Sequence, residues 1–366
     1  MQHCGKILYL NTMKKLVLVV LCGCLGLWCG CSNNSASSAT GSGTGSATVK
    51  ALANNLREVA ALDSVWLGSD SGDIDEAPKH SVRLDSFAME TFEVTNGEFA
   101  EVMNWIMSTN PDSSQRIVHT DTSFGSDTVI STVYELIRVD SMAISGDTVY
   151  HAGLPLILLD LAYFTPDTVY TLDSTMSSNR TERKKYITAL TLTPVNSYIN
   201  YPVVQVSWYG AQFFCDAKSA KDSLSPDSSQ YRLPREAEWE AAARAGLPYN
   251  SSFYPTGNTI SLHTANYRQL NERALAAVNA YPPNPDSIYN LAGNAWEWCA
   301  DFYAASFYTS LAAGVHNPVN TATGPTMVIR GGSYMDDARE QRSSNRDYLE
   351  PSRLEPFMGF RVVRTR

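Results

Sequence analysis

Nine residues near the C-terminal end hold the densest chemistry in the chain: Asn290-Leu291-Ala292-Gly293-Asn294-Ala295-Trp296-Glu297-Trp298. Two indoles flank one carboxylate, with two amides and a glycine around them. Such a turn combines large apolar surface with oxygen donors. A hard cation such as calcium would hold it, because calcium gathers amide, carboxylate and main-chain carbonyl oxygens at about 2.3–2.6 Å. Downstream, Arg330-Gly331-Gly332-Ser333 and Met358-Gly359-Phe360-Arg361-Val362-Val363 complete the pattern. Between them Asp336, Asp337, Arg339, Glu340, Arg342, Arg346 and Asp347 crowd one short stretch. That density suits recognition of a polar ligand or a protein partner, and equally a solvated loop laced with ion pairs worth about 0–1 kcal/mol each. Other chemistries lack their residues. His3, His80, His119, His151, His263 and His316 are scattered without a His-x-x-x-His pair, and there is no Gly-x-Ser-x-Gly, phosphate-binding glycine loop or Cys-x-x-Cys.

Upstream blocks extend the pattern. Val65 to Gly68 is followed by acidic Asp70 to Glu76 and by Phe92-Glu93-Val94-Thr95-Asn96 with Glu98-Phe99. Tyr201-Pro202-Val203-Val204-Gln205-Val206-Ser207-Trp208 and Tyr231-Arg232-Leu233-Pro234-Arg235-Glu236-Ala237-Glu238-Trp239-Glu240 follow in order. Together these blocks resemble the formylglycine-generating enzyme (sulfatase-modifying factor) family over roughly residues 60–366. The resemblance implies an α+β, loop-rich mixed fold related to C-type lectin-like domains. It also implies a calcium site at the Asn290 side chain, the Gly293 and Ala295 carbonyls and the Glu297 carboxylate. A second calcium site of the family is half kept, since Ala265-Asn266-Tyr267 matches but the acidic loop after it is replaced by Arg268 to Ala280, so no second ion is expected.

In formylglycine-generating members two cysteines after the Gly-Gly-Ser segment bind copper and oxidise a substrate cysteine. In register, those places hold Asp336 and Gln341, neither of which can be a thiolate, and copper(I) favours soft sulfur ligands. Copper is therefore not expected. Only Cys215 and Cys299 lie outside the N-terminal region. Cys215 matches a family disulfide position whose partner is here Val362; a Cys215–Cys299 bridge and two buried thiols both remain open. Ser333, Tyr334, Asp336, Asp337, Arg342 and Arg346 fall where the family's active groove would lie and form the candidate ligand groove. The expected function is that of an envelope-anchored lipoprotein with a binding or scaffold role toward a protein or a polar or glycan ligand. The alternative is an oxidoreductase-type member with altered chemistry.

The elements that must position these residues can be read along the chain. Met13-Lys14-Lys15 and the apolar run Leu16 to Trp28 have signal-peptide form, too short for a membrane span of about 20 residues. Translation is expected to begin at Met13. The run ends at Cys29-Gly30-Cys31, which resembles a bacterial lipoprotein cleavage site with Cys31 lipidated; Cys24 and an ordinary cleaved signal peptide are the alternatives. Residues 1–31 are then signal and lipobox, 32–48 a flexible Ser/Gly/Ala/Thr tether, and 49–366 the domain, held at the bacterial cell envelope by the N-terminal lipid. The net charge of −9 becomes about −12 once residues 1–30 are removed, a surface that repels phosphate backbones and excludes nucleic acid.

Helical spacing of Leu52, Leu56, Val59 and Ala60 predicts a short leading helix over Val49 to Ala61. Val65 to Gly68 and Ser81 to Met89 read as strands, and Thr95 with Glu98 as the capping box of a helix through Trp105. Residues 111–200 read as a β-rich insertion, with Asp-Thr-Val recurring at 127, 147 and 167 and a buried strand or pocket wall within Leu154 to Phe164. Val203 to Trp208 predicts a strand, Ser207 the cap of a helix over Tyr209 to Ala220, and Pro234 the first turn of a helix ending at Gly246. Arg232 and Arg235 are expected to pair locally with that helix's glutamates.

Overall fold

The computed structural model describes residues 54–109, 117–122, 131–136, 142–145, 148–151, 154–160, 163–173, 183–222, 229–268 and 274–365, all within one compact unit, Thr48–Arg366. The signal segment, Cys31, the tether and Asp127-Thr128-Val129 lie outside the described residues.

The chain opens with β1 (Leu56–Val59), β2 (Leu62–Leu67), β3 (His80–Leu84), β4 (Phe87–Glu90) and α1 (Asn96–Thr109). Seven strands follow: β5 (Ile117–Thr122), β6 (Ser131–Leu136), β7 (Met142–Ser145), β8 (Thr148–His151), β9 (Leu154–Leu158), β10 (Phe164–Asp173) and β11 (Arg183–Pro194). Next come α2 (Trp208–Lys221), β12 (Tyr231–Arg232), α3 (Glu236–Arg244), β13 (Trp296–Phe302), α4 (Phe307–Ser310), β14 (Val315–His316), β15 (Met327–Arg330), β16 (Asp347–Leu349), β17 (Met358–Gly359) and β18 (Val363–Thr365). The strands form five small sheets, ordered β1-β4-β18-β12, β10-β11-β5-β6, β16-β15-β13-β17, β14-β3-β2 and β7-β8-β9. This is the mixed α+β architecture expected.

Three local expectations fail, each because partners distant in the chain override local pattern. The leading helix is replaced, over Leu56–Val59, by β1, which pairs antiparallel with β4 in the register Leu56↔Glu90 and Val59↔Phe87. A paired backbone outweighs a weak helical spacing. The single strand over 81–89 is two, broken where the Asp85 N–H bonds the Asn317 side chain, so that β3 and β4 enter different sheets. Val203 to Ser207 is irregular: its N–H groups bond Val94, Glu355 and Leu156 in turn, and Gln205 lies in the left-handed region at φ 59°.

The caps behave as written in the sequence. Ser207 accepts from the Gly210 N–H at the start of α2, and Thr95 Oγ1 accepts from the Glu98 N–H at 3.1 Å. The reciprocal half of that capping box is absent, since Glu98 takes Lys218 at 2.7 Å instead. Pro234 sits just ahead of α3, whose N-cap is Arg235 and whose end is Ala245 in the left-handed region.

The main core joins Phe99 and Met103 of α1, Phe214 and Cys215 of α2, Trp296 and Trp298 of β13 and Phe360. A second cluster joins Trp239 of α3, Cys299, Val328, Phe87 and Met89. Strand β13 lies between them, and its two-residue period sends Trp296 and Trp298 one way and Glu297 and Cys299 the other.

Candidate functional site

The turn before β13 is built from left-handed residues: Asn290 at φ 53°, Gly293 at 80° and Asn294 at 69°. Gly293 is required there, because a Cβ would stand 2.3 Å from the Asn266 carbonyl oxygen. Strand β13 then pairs antiparallel with β15, Glu297 opposite Arg330, and parallel with β17, Glu297 opposite Gly359. Glu297 is thus fixed between two strands and fully buried.

Its carboxylate is already engaged. Arg361 donates Nε to Oε2 at 2.7 Å and Nη2 to Oε1 at 2.6 Å, and the Trp239 indole donates to Oε2 at 2.8 Å. Glu93 completes the cluster, accepting from Asn290 Nδ2 at 2.8 Å and Asn294 Nδ2 at 2.9 Å. Burial pushes the Glu93 carboxyl up to about 7 against the pull of Arg361, with Glu297 adding to the rise. Asn294 Oδ1 in turn accepts from Asn266 Nδ2 at 3.1 Å and the Ala276 N–H at 2.9 Å. A continuous amide chain therefore runs from Asn266 to the buried Glu93 carboxylate.

These residues fit a calcium ion at two of the expected donors. Asn290 Oδ1 is buried without a hydrogen-bond partner, an arrangement that costs about 1–3 kcal/mol unless something occupies it. A carboxylate offers about four lone-pair positions, and three protein donors on Glu297 leave one on Oε1. Two carboxylates against one guanidinium also leave excess negative charge that a divalent ion would neutralise.

The second part of the site is the loop after β15. Gly331 and Gly332 have φ of 98° and 71°, and a Cβ on Gly332 would meet the Gln341 amide at 2.5 Å. Gln341 is fully buried, donates to the Ser333 and Asp337 carbonyls at 3.3 and 3.2 Å, and leaves its Oε1 unpartnered. Asp336 Oδ2 takes three neutral donors: the Ser333 N–H at 2.9 Å, Ser333 Oγ at 2.5 Å and the Trp296 indole at 2.8 Å. These two residues brace the loop after β15.

The candidate ligand groove divides. Tyr334 and Asp336 are half-buried and Asp337 is exposed, paired with exposed Arg268. Ser333, Arg342 and Arg346 are buried. Arg342 bonds Glu76 at 2.5 Å, and Arg346 holds Glu236 through Nε at 2.6 Å and Nη2 at 2.9 Å. Both arginines therefore belong to the interior, and the reading of this stretch as one charged surface is corrected. Arg232 does pair locally with Glu238, in two bonds of 2.7 Å. Glu236 and Glu240 also reach distant arginines: Arg346 holds Glu236, and Arg330 meets Glu240 at 2.8 Å, while Arg244, one turn along the same helix, meets Glu240 at 2.6 Å. Arg361, Glu93 and Arg330 were not singled out as site residues by sequence reading. Their signal is a charged residue inside a buried apolar run, as in Gly359-Phe360-Arg361-Val362-Val363.

Cys215 and Cys299 are free and buried. They belong to different core clusters, and burial pushes both thiols well above the ordinary range. Among the described residues no group of three or more His, Cys, Asp or Glu could hold a metal.

A family profile described as the sulfatase-modifying factor enzyme 1-like domain matches residues 63–366. The chain belongs to that family. Among curated relatives, the formylglycine-generating enzyme of Thermomonospora curvata is 35% identical over 150 residues, 37% of this chain and 45% of that protein. The serine/threonine-protein kinase pkn1 of Chlamydia pneumoniae is 34% identical over 167 residues, 46% of this chain and 24% of that protein. The matched region thus spans less than half the length of either relative. Among solved structures, Treponema denticola variable protein 1 superposes with a TM-score of 0.54 over 86% of this chain and 96% of that one at 22% identity, a likeness of fold. The sulfatase-modifying factor-like domain accounts for every block named above from Val65 to Val363.

Proposed function

We propose that this member of the family does not generate formylglycine and works as a lipid-anchored binding protein of the bacterial cell envelope. The observation that carries the reading is the pair Asp336 and Gln341, standing where two copper-holding thiols are required. Both are tied into the Gly331–Ser333 loop by hydrogen bonds, so the copper positions serve as braces. Both cysteines outside the N-terminal region are buried and held protonated, which keeps them from acting as thiolate ligands. Anchoring rests on Cys31 and the apolar run before it.

Anaerobic copper(I) titration is expected to give no tight thiolate complex, and incubation with a sulfatase-motif peptide no loss of its cysteine. Tight copper binding together with conversion of that cysteine would overturn the reading. For the anchor, a fatty acid analogue should label the wild type and not Cys31→Ser; equal labelling rules Cys31 out.

Calcium is proposed as a structural ion at Asn290 Oδ1 and Glu297 Oε1, with the Gly293 and Ala295 carbonyls. Bound there, it would neutralise the buried carboxylates and occupy the unpartnered amide oxygen. A site saturated at about 100 times Kd adds roughly 2.7 kcal/mol of stability. Melting should therefore fall on chelation and recover with calcium, and an unchanged melting temperature removes the ion.

A further inference from the structure

Four tyrosines from separate parts of the chain gather beside the Gly331–Ser333 loop. Tyr163 immediately precedes β10, Tyr198 and Tyr201 follow β11, and Tyr334 follows Ser333. Tyr163 meets Tyr198 edge-on, centroids 5.1 Å apart at 90°, and Tyr198 meets Tyr201 at 5.1 Å and 76°. Tyr163, Tyr201 and Tyr334 pack on one small apolar floor, Val204, Leu275 and Ala295. All four tyrosines are half-buried, so each keeps surface open to solvent.

Two carboxylates flank these rings. Asp160 accepts from Gln205 Nε2 at 3.2 Å, and Gln205 is the buried non-glycine residue held at φ 59°. A left-handed bulky residue stores strain of about 1–3 kcal/mol and persists where its surroundings over-determine it, most often at functional sites. The Asp336 carboxylate accepts from Ser333 N–H, Ser333 Oγ and the Trp296 indole, all neutral donors and all at Oδ2. At Glu236, Glu240 and Glu297, by contrast, an arginine neutralises the carboxylate. Burial raises the Tyr163 hydroxyl, and Asp160, Tyr334, Tyr198 and Tyr201 all push it the same way; burial and Asp336 raise Tyr334. Asp160 and Asp336 therefore lie close enough to act on the rings of Tyr163 and Tyr334 respectively.

Aromatic faces carry negative potential and attract a desolvated organic cation. We propose that Tyr163, Tyr198, Tyr201 and Tyr334, with Asp160 and Asp336, form a binding site for an alkylammonium or guanidinium cation. The proposal rests on the binding reading above and names its ligand class. The cation is either a small free molecule or a basic side chain of a polypeptide, and both present the same chemistry. The site joins residues of the strand-rich 111–200 region to the loop that in relatives carries the oxidase cysteines.

The test is calorimetric titration of the full chain with choline, with its uncharged carbon isostere dimethylbutanol and with acetylarginine amide. Choline and acetylarginine amide should bind saturably, with dimethylbutanol at least about tenfold weaker, the cation–aromatic contribution expressed as affinity. Asp336→Asn and Tyr201→Leu should each weaken choline about tenfold, with melting temperatures recorded to confirm folding. A short peptide with one central arginine that binds more tightly than acetylarginine amide assigns the cation to a polypeptide, and equal binding assigns it to a small molecule. Equal affinity for choline and dimethylbutanol, or no saturable binding of any cation by the folded wild type, overturns the site. Wild-type titration decides the matter even if a variant fails to fold. Such a failure is distinct from failure of the binding reading, which cysteine conversion alone would sink.

Discussion

Arg361 donates two hydrogen bonds to Glu297 with no exposed surface on either side chain. Taking one partner away leaves the other charged and buried, which costs about 3–5 kcal/mol. Arg361→Met is therefore expected to lower the free energy of unfolding by about that amount, read as a shift of the urea midpoint at unchanged slope. A change under about 1 kcal/mol would mean that the pair is not formed. The Gly332 position makes a second residue-level prediction. Gly332→Ala meets both a left-handed φ and the Gln341 amide at 2.5 Å, and should destabilise by about 1–3 kcal/mol. Adding Gln341→Ser removes the clash and leaves the φ strain, so the double variant should recover part of the loss; no recovery would show that Gln341 does not brace the loop.

Helix α3 is the element through which these charges act together. All nine of its residues are buried, and Glu236 and Glu240, one turn apart, face Arg346, Arg330 and Arg244. Asp301 of β13 reaches the start of the same helix, accepting from the Glu236 N–H at 2.8 Å and from the Asn320 N–H at 2.7 Å. Burial and the Glu236 charge push its carboxyl up to about 7 despite those two bonds. A carboxyl raised in the folded state holds its proton more tightly there than when unfolded. Its stabilising contribution is complete below about pH 4 and is lost as pH rises through about 7. The melting temperature should fall between pH 5 and pH 8, and Asp301→Asn should make that fall shallower. An unaltered slope in the variant would assign the pH dependence elsewhere, Glu93 being the other carboxyl raised to about 7. Helix caps such as Ser207 were legible in sequence, because a cap is a contact between residues three apart. The partners of Glu236 and Glu240 from outside the helix were not, since Arg330 lies 90 residues from Glu240 and Arg346 lies 110 from Glu236.

At the scale of the whole molecule, the strand-rich region is part of the core. Val149, Leu156, Ile157, Leu159, Phe164 and Leu192 pack in the same cluster as α1 and α2. Asn104 of α1 bonds the Leu192 backbone in both directions at 2.8 Å. Replacing residues 111–200 by a short linker should therefore abolish the cooperative unfolding transition, since it strips apolar partners from Phe99, Met103 and Phe214. A linker variant that still melts cooperatively near the wild-type temperature would make the region an appendage.

The sequence by itself determined the family, the mixed α+β class, the caps and the turn before β13, because these depend on residue types at short, fixed spacings. Tertiary structure alone decided that Arg342 and Arg346 turn inward, that Leu56–Val59 pairs as a strand and that Cys215 and Cys299 sit in separate cores. It also brought Tyr163 and Tyr334, 171 positions apart, over one floor. The physical reason is that burial and pairing of a charge or a strand depend on groups distant in the chain, and those meet only once the chain has closed on itself.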